Sequence, residues 1–391
     1  MFRDSLHGRG KRSVRRLTKT DSNGVLLIYP PFGSTVALHM AVPLLAGHLR
    51  SKGISVAAVD ANLELQHHLL EKGRIENGRR AAEENLLRLN GKRRLTADEK
   101  VHYDLAARAL LAADLLNGHR TGAFFDHDGI DHLGKMTLRL TEVFAAIMLS
   151  SAAYYPERVT LSNLGGLRRF TGYSEYATGE IMASVGADDM LSGFFEGLLG
   201  PVLEQDPPLI AGITVAYTEQ VLAAFRCAAA IKKIAPHVHV VLGGSWITAL
   251  MDGVREPRIF EHVDSIVIGD GERPLERLYR ELASPVPDRG AIPGLVWRDR
   301  ETGRVSENPP GIPMDIEDSP VPDYTVLPLD RYPVPRQFLW QYARGSRGCY
   351  WRRCAFCPTG RSVIGHHQQA SAEYIFNSVK SLKEQTGIGN I

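Results

Sequence analysis

The sequence has few cysteines, no long apolar run and no excess of charge of either sign. Four cysteines in 391 residues are too few for a disulfide scaffold. No run of 18 or more apolar residues occurs, so we expect no membrane span. Lys and Arg total 46 against 44 Asp and Glu, and this formal charge of +2 argues against a nucleic-acid-binding protein.

The first 24 residues are predicted to be a disordered basic tail. Residues 1–20 hold seven Lys and Arg against one acid, Asp4, and no apolar stretch of the kind a signal peptide needs follows them. A transit peptide or an RNA-contacting arm is the alternative. Without an export signal we expect a cytoplasmic protein with reduced cysteines, which favours metal or cluster ligation over disulfides.

From residue 25 the apolar pattern predicts an α/β fold, a Rossmann-like doubly wound parallel sheet. Short Val/Ile/Leu-rich runs typical of buried strands alternate with helical periodicity. The predicted strands cover residues 25–29, 54–60, 209–217, 238–244 and 264–272. The predicted helices between them cover residues 36–51, 219–234 and 273–283.

Two further stretches interrupt this alternation. Residues from about 63 to 205 show helical patterns and could form a separate helical domain or an insertion. We favour an insertion into the domain spanning 25–284, because two strands precede the stretch and about three follow it. Residues 285–335 are rich in proline and predict a linker that carries a small hairpin at 294–299 and 304–308. The helices predicted in the insertion cover residues 81–91, 97–116, 136–153 and 176–199.

The strongest chemical signal is a cysteine loop in the last unit, residues 336–391. Cys349, Cys354 and Cys357 have C-x4-C-x2-C spacing, between a predicted strand at 338–346 and a predicted helix at 371–385. Three thiolates suit a [4Fe–4S] cluster with one open iron better than zinc, which prefers four protein ligands. The alternative is a zinc knuckle with His366 or His367 as fourth ligand. Cys227, alone in an apolar helix, is predicted to be a buried small hydrophobe.

The loops after the predicted strands contain the candidate binding residues. Such loops meet at the carboxyl edge of a parallel sheet, where ligands bind. Glycines there let the backbone approach a ligand, although a tight turn alone would also explain them. No G-x-G-x-x-G follows the first strand, which argues against an NAD-binding domain. The candidates are Pro31, Phe32, Thr214, Tyr217, Gly243, Gly244, Ser245, Gly269, Gly271 and Glu272.

The cysteine loop resembles that of radical S-adenosylmethionine (SAM) enzymes. Their usual motif is C-x3-C-x2-C with an aromatic residue before the last cysteine, a position that Phe356 fills. The first spacing is one residue longer in this chain, as in some cobalamin-dependent members associated with peptide natural-product maturation. The resemblance implies that the three cysteines ligate the cluster, that SAM chelates the open iron, and that Phe356 lies near the adenine.

The preceding α/β region resembles the cobalamin-binding domain of B12-dependent radical SAM proteins, especially at VIGDGERPLERL (267–278). The resemblance places Gly243 and Gly244 near the cobalamin nucleotide tail. The D-x-H-x-x-G motif with which other B12 domains ligate cobalt is missing after the first strand. His39 is predicted to be a helix-surface residue, so no protein histidine is expected beneath cobalt.

Together these resemblances imply a methyltransferase that acts on an unactivated carbon through methylcobalamin and a 5′-deoxyadenosyl radical. No catalytic side chain is assigned. The expected partners are a small-molecule or peptide substrate and an electron donor such as flavodoxin or ferredoxin. Residues 336–391 are shorter than a (β/α) barrel, so we expect a truncated radical SAM domain that is inactive alone and that a second chain could complete. Rearrangement or cyclisation, a cobalamin-binding module without catalysis, and a zinc-stabilised nucleotide-binding regulator remain alternatives.

Overall fold

The computed structural model describes residues 23–34, 37–116, 124–155, 157–161, 166–249, 255–286, 288–299, 301–355, 357 and 367–391. The basic tail up to residue 22, the aromatic Phe356 and His366 therefore lie outside the described residues. What was predicted for them stays a prediction.

Strands in the described residues form one large sheet and two small ladders. The strands are β1 (Val25–Tyr29), β2 (Val56–Asp60), β3 (Arg158–Leu161), β4 (Leu167–Phe170), β5 (Ile210–Thr214), β6 (His239–Gly243), β7 (Ser265–Val267), β8 (Leu295–Arg298), β9 (Val305–Glu307), β10 (Ser346–Arg347) and β11 (Gln368–Gln369). The large sheet has the order β2-β1-β5-β6-β7-β8-β9. Its first five strands are parallel, and β8 and β9 are antiparallel. The predicted α/β class with a mainly parallel sheet is confirmed.

Helices connect these strands and cover both faces of the sheet. They are α1 (Ala41–Ser51), α2 (Ala61–Leu69), α3 (Lys72–Asn90), α4 (Ala97–Leu115), α5 (Leu133–Ser151), α6 (Thr178–Val185), α7 (Phe194–Gln205), α8 (Val221–Ile234), α9 (Ser245–Ala249), α10 (Glu272–Leu282) and α11 (Ala372–Thr386). Side chains alternate along β1, so that Leu26 and Ile28 enter one core and Val25, Leu27 and Tyr29 the other. Burial on both faces explains why the strands are almost continuously apolar.

The residues between β2 and β5 leave the main sheet and then return to it, since both of these strands pair with β1. Helices α3, α4 and α5 pack against one another in this stretch. The helices predicted over 97–116 and 136–153 are confirmed, and the one predicted over 81–91 begins earlier, at Lys72. The single helix predicted over 176–199 is wrong: α6 ends at Val185 and α7 begins at Phe194. The antiparallel β3–β4 ladder was not anticipated from the sequence.

The hairpin predicted in the proline-rich stretch is present as β8 and β9, and it extends the main sheet through pairing of β8 with β7. Residues that follow it also pack into the domain. Tyr324 and Tyr332 are fully buried in the core that contains Leu27. Proline prevents long elements in this stretch, yet its short 3-10 turns place large side chains against the sheet.

A continuous strand over 338–346 was predicted wrongly. The chain forms a 3-10 turn at 336–338 and an isolated position at Trp340, which bridges in parallel to both Ala37 and Asn390. Leu38 N–H also donates to the Trp340 carbonyl at 3.0 Å. These contacts hold residues 37–38 in extended backbone, which explains why α1 begins at Ala41 and not at residue 36. The helix predicted over 371–385 is confirmed as α11.

One helix in the described residues, Leu133–Tyr154, is long and apolar enough to cross a membrane by length and composition. Of its most apolar window, 39% is buried against the rest of the chain. Core helices of soluble proteins pass the same test, so the finding is weak, and the expectation of no membrane span stays a prediction.

The close packing of α3 on α5 predicts a specific stability effect. A Cβ added at Gly78 would lie 1.9 Å from the Leu149 carbonyl oxygen, whereas one at Gly73 in the same helix meets nothing within 4 Å. We expect Gly78→Ala to lower the free energy of unfolding by roughly 1–3 kcal/mol, because the helices must move apart. Urea denaturation measures this. Gly73→Ala is the matched control and should leave stability unchanged or raise it slightly; equal effects of the two variants would contradict the packing.

Candidate functional site

A cavity of about 240 Å³ opens at the carboxyl ends of β5, β6 and β7. Ligands of parallel α/β sheets bind at this edge. Seven of the ten candidate residues line the cavity: Thr214, Gly243, Gly244, Ser245, Gly269, Gly271 and Glu272. Apolar residues at the start of α1 form the opposite wall, among them Ala41, Leu44 and Leu45. The structure therefore brings most of the candidate residues, taken from three separate loops, to one place.

Gly244 is required where β6 turns into α9. Its φ of +113° lies in the region that favours glycine, and an added Cβ would lie 2.3 Å from the carbonyl oxygen of Val215. That carbonyl accepts a hydrogen bond from Trp246 N–H at 3.2 Å, which closes the turn on the end of β5. The glycine pair thus serves the turn, and it also leaves this part of the cavity wall free of side chains.

A buried amide holds the loop after β1. Asn62 Oδ1 accepts hydrogen bonds from Phe32 N–H and Gly33 N–H, both at 3.0 Å. Phe32 has a left-handed φ of +75°, a strained conformation for a non-glycine residue that these bonds maintain. Its ring packs 5.8 Å from the Arg169 guanidinium, away from the cavity. Neither Pro31 nor Phe32 lines the cavity, and their proposed cobalamin contact stays a prediction.

A second buried amide, Gln220, joins the loop after β5 to the loop after β1. Its Nε2 donates to the Pro30 carbonyl at 2.9 Å, and its Oε1 accepts from Ala216 N–H at 2.8 Å and Tyr217 N–H at 3.2 Å. Tyr217 is half exposed and does not line the cavity. Both amides fix the backbone of the loops beside the cavity without projecting into it.

Four charged side chains connect the cavity wall to the cysteine loop. Glu272 Oε1 lies 3.0 Å from Arg344 Nη1 and 3.3 Å from Arg347 Nη2. Arg347 Nη1 lies 2.9 Å from Asp270 Oδ2 and donates to the Met314 carbonyl at 2.7 Å. Asp270, Glu272 and Arg344 line the cavity, and Arg347 precedes Cys349 by two residues. We call these four residues the Arg–acid network.

The two carboxyl groups of the Arg–acid network differ in their electrostatics. Burial raises the pKa of Glu272, but Arg344 and Arg347 outweigh it and hold that pKa below its usual value. Burial, followed by the charge of Glu272, raises the pKa of Asp270, and the arginines offset this only in part. Glu272 is therefore the stably ionised partner that anchors both guanidinium groups.

The cysteine loop begins and ends at one short ladder. Arg347 pairs with Gln368 and Ser346 with Gln369, so β10 and β11 fix the two ends of residues 348–367. Cys349 and Cys357 are half-buried and Cys354 is exposed. Within the described residues no three His, Cys, Asp or Glu side chains are grouped so that they could hold a metal ion. Three thiols suit an iron–sulfur cluster chemically, but their convergence on one centre stays a prediction.

Cys227 is fully buried in α8, and burial raises the pKa of its thiol well above the usual value. The prediction of a small core hydrophobe is confirmed. None of the four cysteines, all of them in the described part of the chain, forms a disulfide.

The prediction for His39 was wrong. It precedes α1, its side chain is only 8% exposed, and its ring stacks on Tyr29 with centroids 3.7 Å apart. Its Nε2 lies 3.8 Å from Asp60 Oδ2, and that carboxylate oxygen accepts a hydrogen bond from the Tyr332 hydroxyl. The histidine is buried because Ala37 and Leu38 pair with Trp340 and draw the chain inward.

Sequence reasoning missed the residues that complete the cavity wall. Arg344 is distant in sequence and lay in a segment predicted to be a strand of another unit, so no local signal indicated it. Asp270 stands within the glycine-rich loop between two selected residues, and its charge could have drawn attention. The residues of α1 that line the cavity have the apolar spacing of any helix packed on a sheet, so their sequence does not mark them as lining residues.

No family model matches the chain. It is 28% identical over 197 residues to an uncharacterized methyltransferase of Pyrococcus horikoshii, an alignment that covers 49% of this chain and 40% of that protein. The fold can be superimposed on the radical SAM methyltransferase TsrM of Kitasatospora setae in two solved structures. One, with tryptophan substrate and a SAM analogue bound, gives a TM-score of 0.45 at 14% identity, covering 92% of this chain and 45% of TsrM.

The other TsrM structure, with cobalamin and a [4Fe–4S] cluster bound, gives a TM-score of 0.44 at 13% identity, covering 94% of this chain and 46% of TsrM. Because both TM-scores lie below 0.5, we infer nothing about this chain from the superpositions. The chain spans less than half the length of each of these proteins.

The His39–Asp60 pair predicts opposing pH dependences. Burial lowers the pKa of His39 from 6.5 to about 3, so its contribution to stability falls as pH drops from 6.5. Burial raises the pKa of Asp60 from 3.8 to about 6, partly offset by hydrogen bonds from Tyr332 and Leu63, so its contribution falls as pH rises from 3.8 to about 6. The two effects oppose each other between about pH 4 and 6.

We therefore expect His39→Gln to make the unfolding free energy fall more steeply with rising pH than in wild type, and Asp60→Asn to make it rise more steeply. The slope changes by up to about 1.4 kcal/mol per pH unit in either direction. Urea denaturation at several pH values between 4 and 6 measures both. Slopes that change in the same direction in both variants would contradict the assignment.

Proposed function

We propose that the chain binds cobalamin with its nucleotide tail in the cavity at the carboxyl edge of the sheet, and a [4Fe–4S] cluster with SAM through Cys349, Cys354 and Cys357. The proposal extends to a part in methyl transfer to an unactivated carbon. The observation that carries it is the Arg–acid network, which joins the cavity wall to the start of the cysteine loop. The sequence similarity to an uncharacterized methyltransferase supports the reaction class.

The shape of the cavity supports cobalamin. The turn at Gly243 and Gly244 presents bare backbone, which allows a flat ring system such as the nucleotide base of cobalamin to approach closely. Leu44, Leu45 and Leu275 supply an apolar surface that excludes water from the opposite side. Polar groups at the rim, among them Ser245 and Arg344, would orient the tail by hydrogen bonding.

The side chains of this chain would bind and orient; the hard chemistry would belong to the cofactors. Bound cobalamin would supply a methyl carrier, and the cluster with SAM would supply radical initiation. Arg347 would hold the cysteine loop near the cavity, and Glu272 would keep Arg347 in place. Phe356 is proposed to contact the adenine of SAM.

The proposed substrate is a small molecule or a peptide, and the proposed electron donor is a flavodoxin or ferredoxin. A second candidate function is cobalamin binding without catalysis by this chain. It is favoured by the lining of the cavity, in which every described residue except Arg344 comes from the region before residue 336.

Cysteine substitution tests the cluster. After anaerobic reconstitution with iron and sulfide, we expect Cys349→Ala, Cys354→Ala and Cys357→Ala each to lose most of the bound iron, because each loop thiolate would ligate one iron of the cluster. Iron and sulfide content and visible absorbance measure this. Cys227→Ala, at the buried cysteine, should retain wild-type iron. Zinc bound in place of iron, or full iron in a single loop variant, would sink the cluster assignment.

Filling the cavity tests cobalamin binding. We expect Ala41→Trp to weaken hydroxocobalamin binding at least about tenfold, because the indole would occupy the cavity. Absorbance titration measures the dissociation constant. Ala183→Trp, at an exposed position of α6 that does not line the cavity, is the control and should bind as wild type does. Unchanged binding in Ala41→Trp, or no binding in wild type, would overturn this site.

A further inference from the structure

We infer that the Arg–acid network couples the cavity to the cysteine loop, so that cobalamin binding and cluster assembly strengthen each other. Arg347 is the positioning residue that carries this coupling. The inference rests on the proposed function and adds a regulatory property to the same site. Its basis is a set of contacts that neither the cysteine motif nor the glycine-rich loops predict.

The first step is that one carboxylate, that of Glu272, pairs both with an arginine of the cavity wall and with the arginine that precedes the cysteine loop. Glu272 is 3% exposed and begins α10 on the cavity wall. It pairs with Arg344, another wall residue, and with Arg347, which is 6% exposed. In a poorly solvated environment such ion pairs are sensitive to small displacements. A ligand that contacts Arg344 or Glu272 therefore also acts on Arg347.

The second step is that Arg347 controls both ends of the cysteine loop. Its backbone is paired with Gln368 across the β10–β11 ladder, and Ala370 N–H donates to the Gly345 carbonyl at 3.0 Å. Its guanidinium also donates to the Met314 carbonyl, which ties the ladder to the segment after β9. When the Arg347 side chain is fixed, residues 348 and 367 are held at one place on the domain.

The third step is thermodynamic. If a ligand in the cavity and a cluster in the loop favour the same arrangement of the Arg–acid network, each must raise the affinity of the other by the same factor. Such coupling factors are typically 5- to 150-fold, and we expect about tenfold. Without the Arg347 side chain, cobalamin could still bind in the cavity and the cluster could still bind the three cysteines. The contact that links the two sites would be lost.

The experiment measures hydroxocobalamin dissociation constants on the full chain, with and without the reconstituted cluster. In wild type we expect cobalamin to bind about tenfold more tightly when the cluster is present. Bound cobalamin should slow iron loss to a chelator correspondingly. In Arg347→Met the ratio of dissociation constants should fall to within about twofold of one. Arg347→Lys, which retains the charge, should restore part of it.

Two variants and one control separate a loss of coupling from a loss of folding. Arg347→Met leaves Glu272 paired with Arg344, and Glu272→Gln removes the shared charge while Asp270 remains beside Arg347. Both should lose the coupling. Because breaking a buried ion pair lowers stability, each variant is assayed at a temperature at which circular dichroism shows it to be folded. Arg255→Met is the control, because Arg255 pairs with Glu307 at 2.7 Å on an exposed part of the sheet outside the network. It should keep the full coupling.

The outcomes separate the two proposals. Cobalamin binding that is the same with and without the cluster in wild type would overturn the coupling and leave the proposed function intact. Coupling that persists in Arg347→Met and Glu272→Gln would overturn the role of the network. No cobalamin binding in wild type, under any condition, would remove the proposed function and the coupling with it.

Discussion

The Arg–acid network is the interaction on which the arrangement of the candidate site depends. Burying Glu272 and Arg347 has a substantial desolvation cost, and the structure offsets it by giving the carboxylate two guanidinium partners. A buried pair of this kind contributes little net stability compared with apolar packing, but breaking it is strongly destabilising. Its effect is positional: it holds Arg347, two residues before Cys349, beside the edge of the sheet where the cavity opens.

Neutral polar side chains hold the backbone of the neighbouring loops after β1 and β5. Asn62 and Gln220 satisfy backbone groups that would otherwise be buried without partners, and Asn62 holds Phe32 in a strained conformation. His39 and Asp60 are buried close together, and burial shifts their pKa values in opposite directions. The loops on the β1 side of the edge are thus held by buried amides, and those on the β7 side by ion pairs.

Much of the architecture was predictable from local pattern. The parallel strands, the helices that cover them and the hairpin at 294–308 follow from apolar periodicity and turn residues, because burial on both faces demands those patterns. Predictions failed where distant contacts overrode local preference. Trp340 forms β-bridges with Ala37 and Asn390. The segment around Trp340 is therefore not the long strand predicted for 338–346. The segment around Ala37 is not helical, and the helix predicted from residue 36 begins at Ala41.

By itself, the sequence determined the fold class, the glycine-rich strand ends and the spacing of the three thiols in the cysteine loop. These are properties of short segments, in which periodicity and residue type are sufficient. Only the tertiary structure decided that seven of the ten candidate residues share one cavity, that His39 is buried, and that Arg344 and Arg347 meet Glu272. Those facts depend on parallel crossovers and on burial, which bring together residues that are distant in sequence. Glu272 lies 72 positions from Arg344 and 75 from Arg347, and no local pattern indicates their contact.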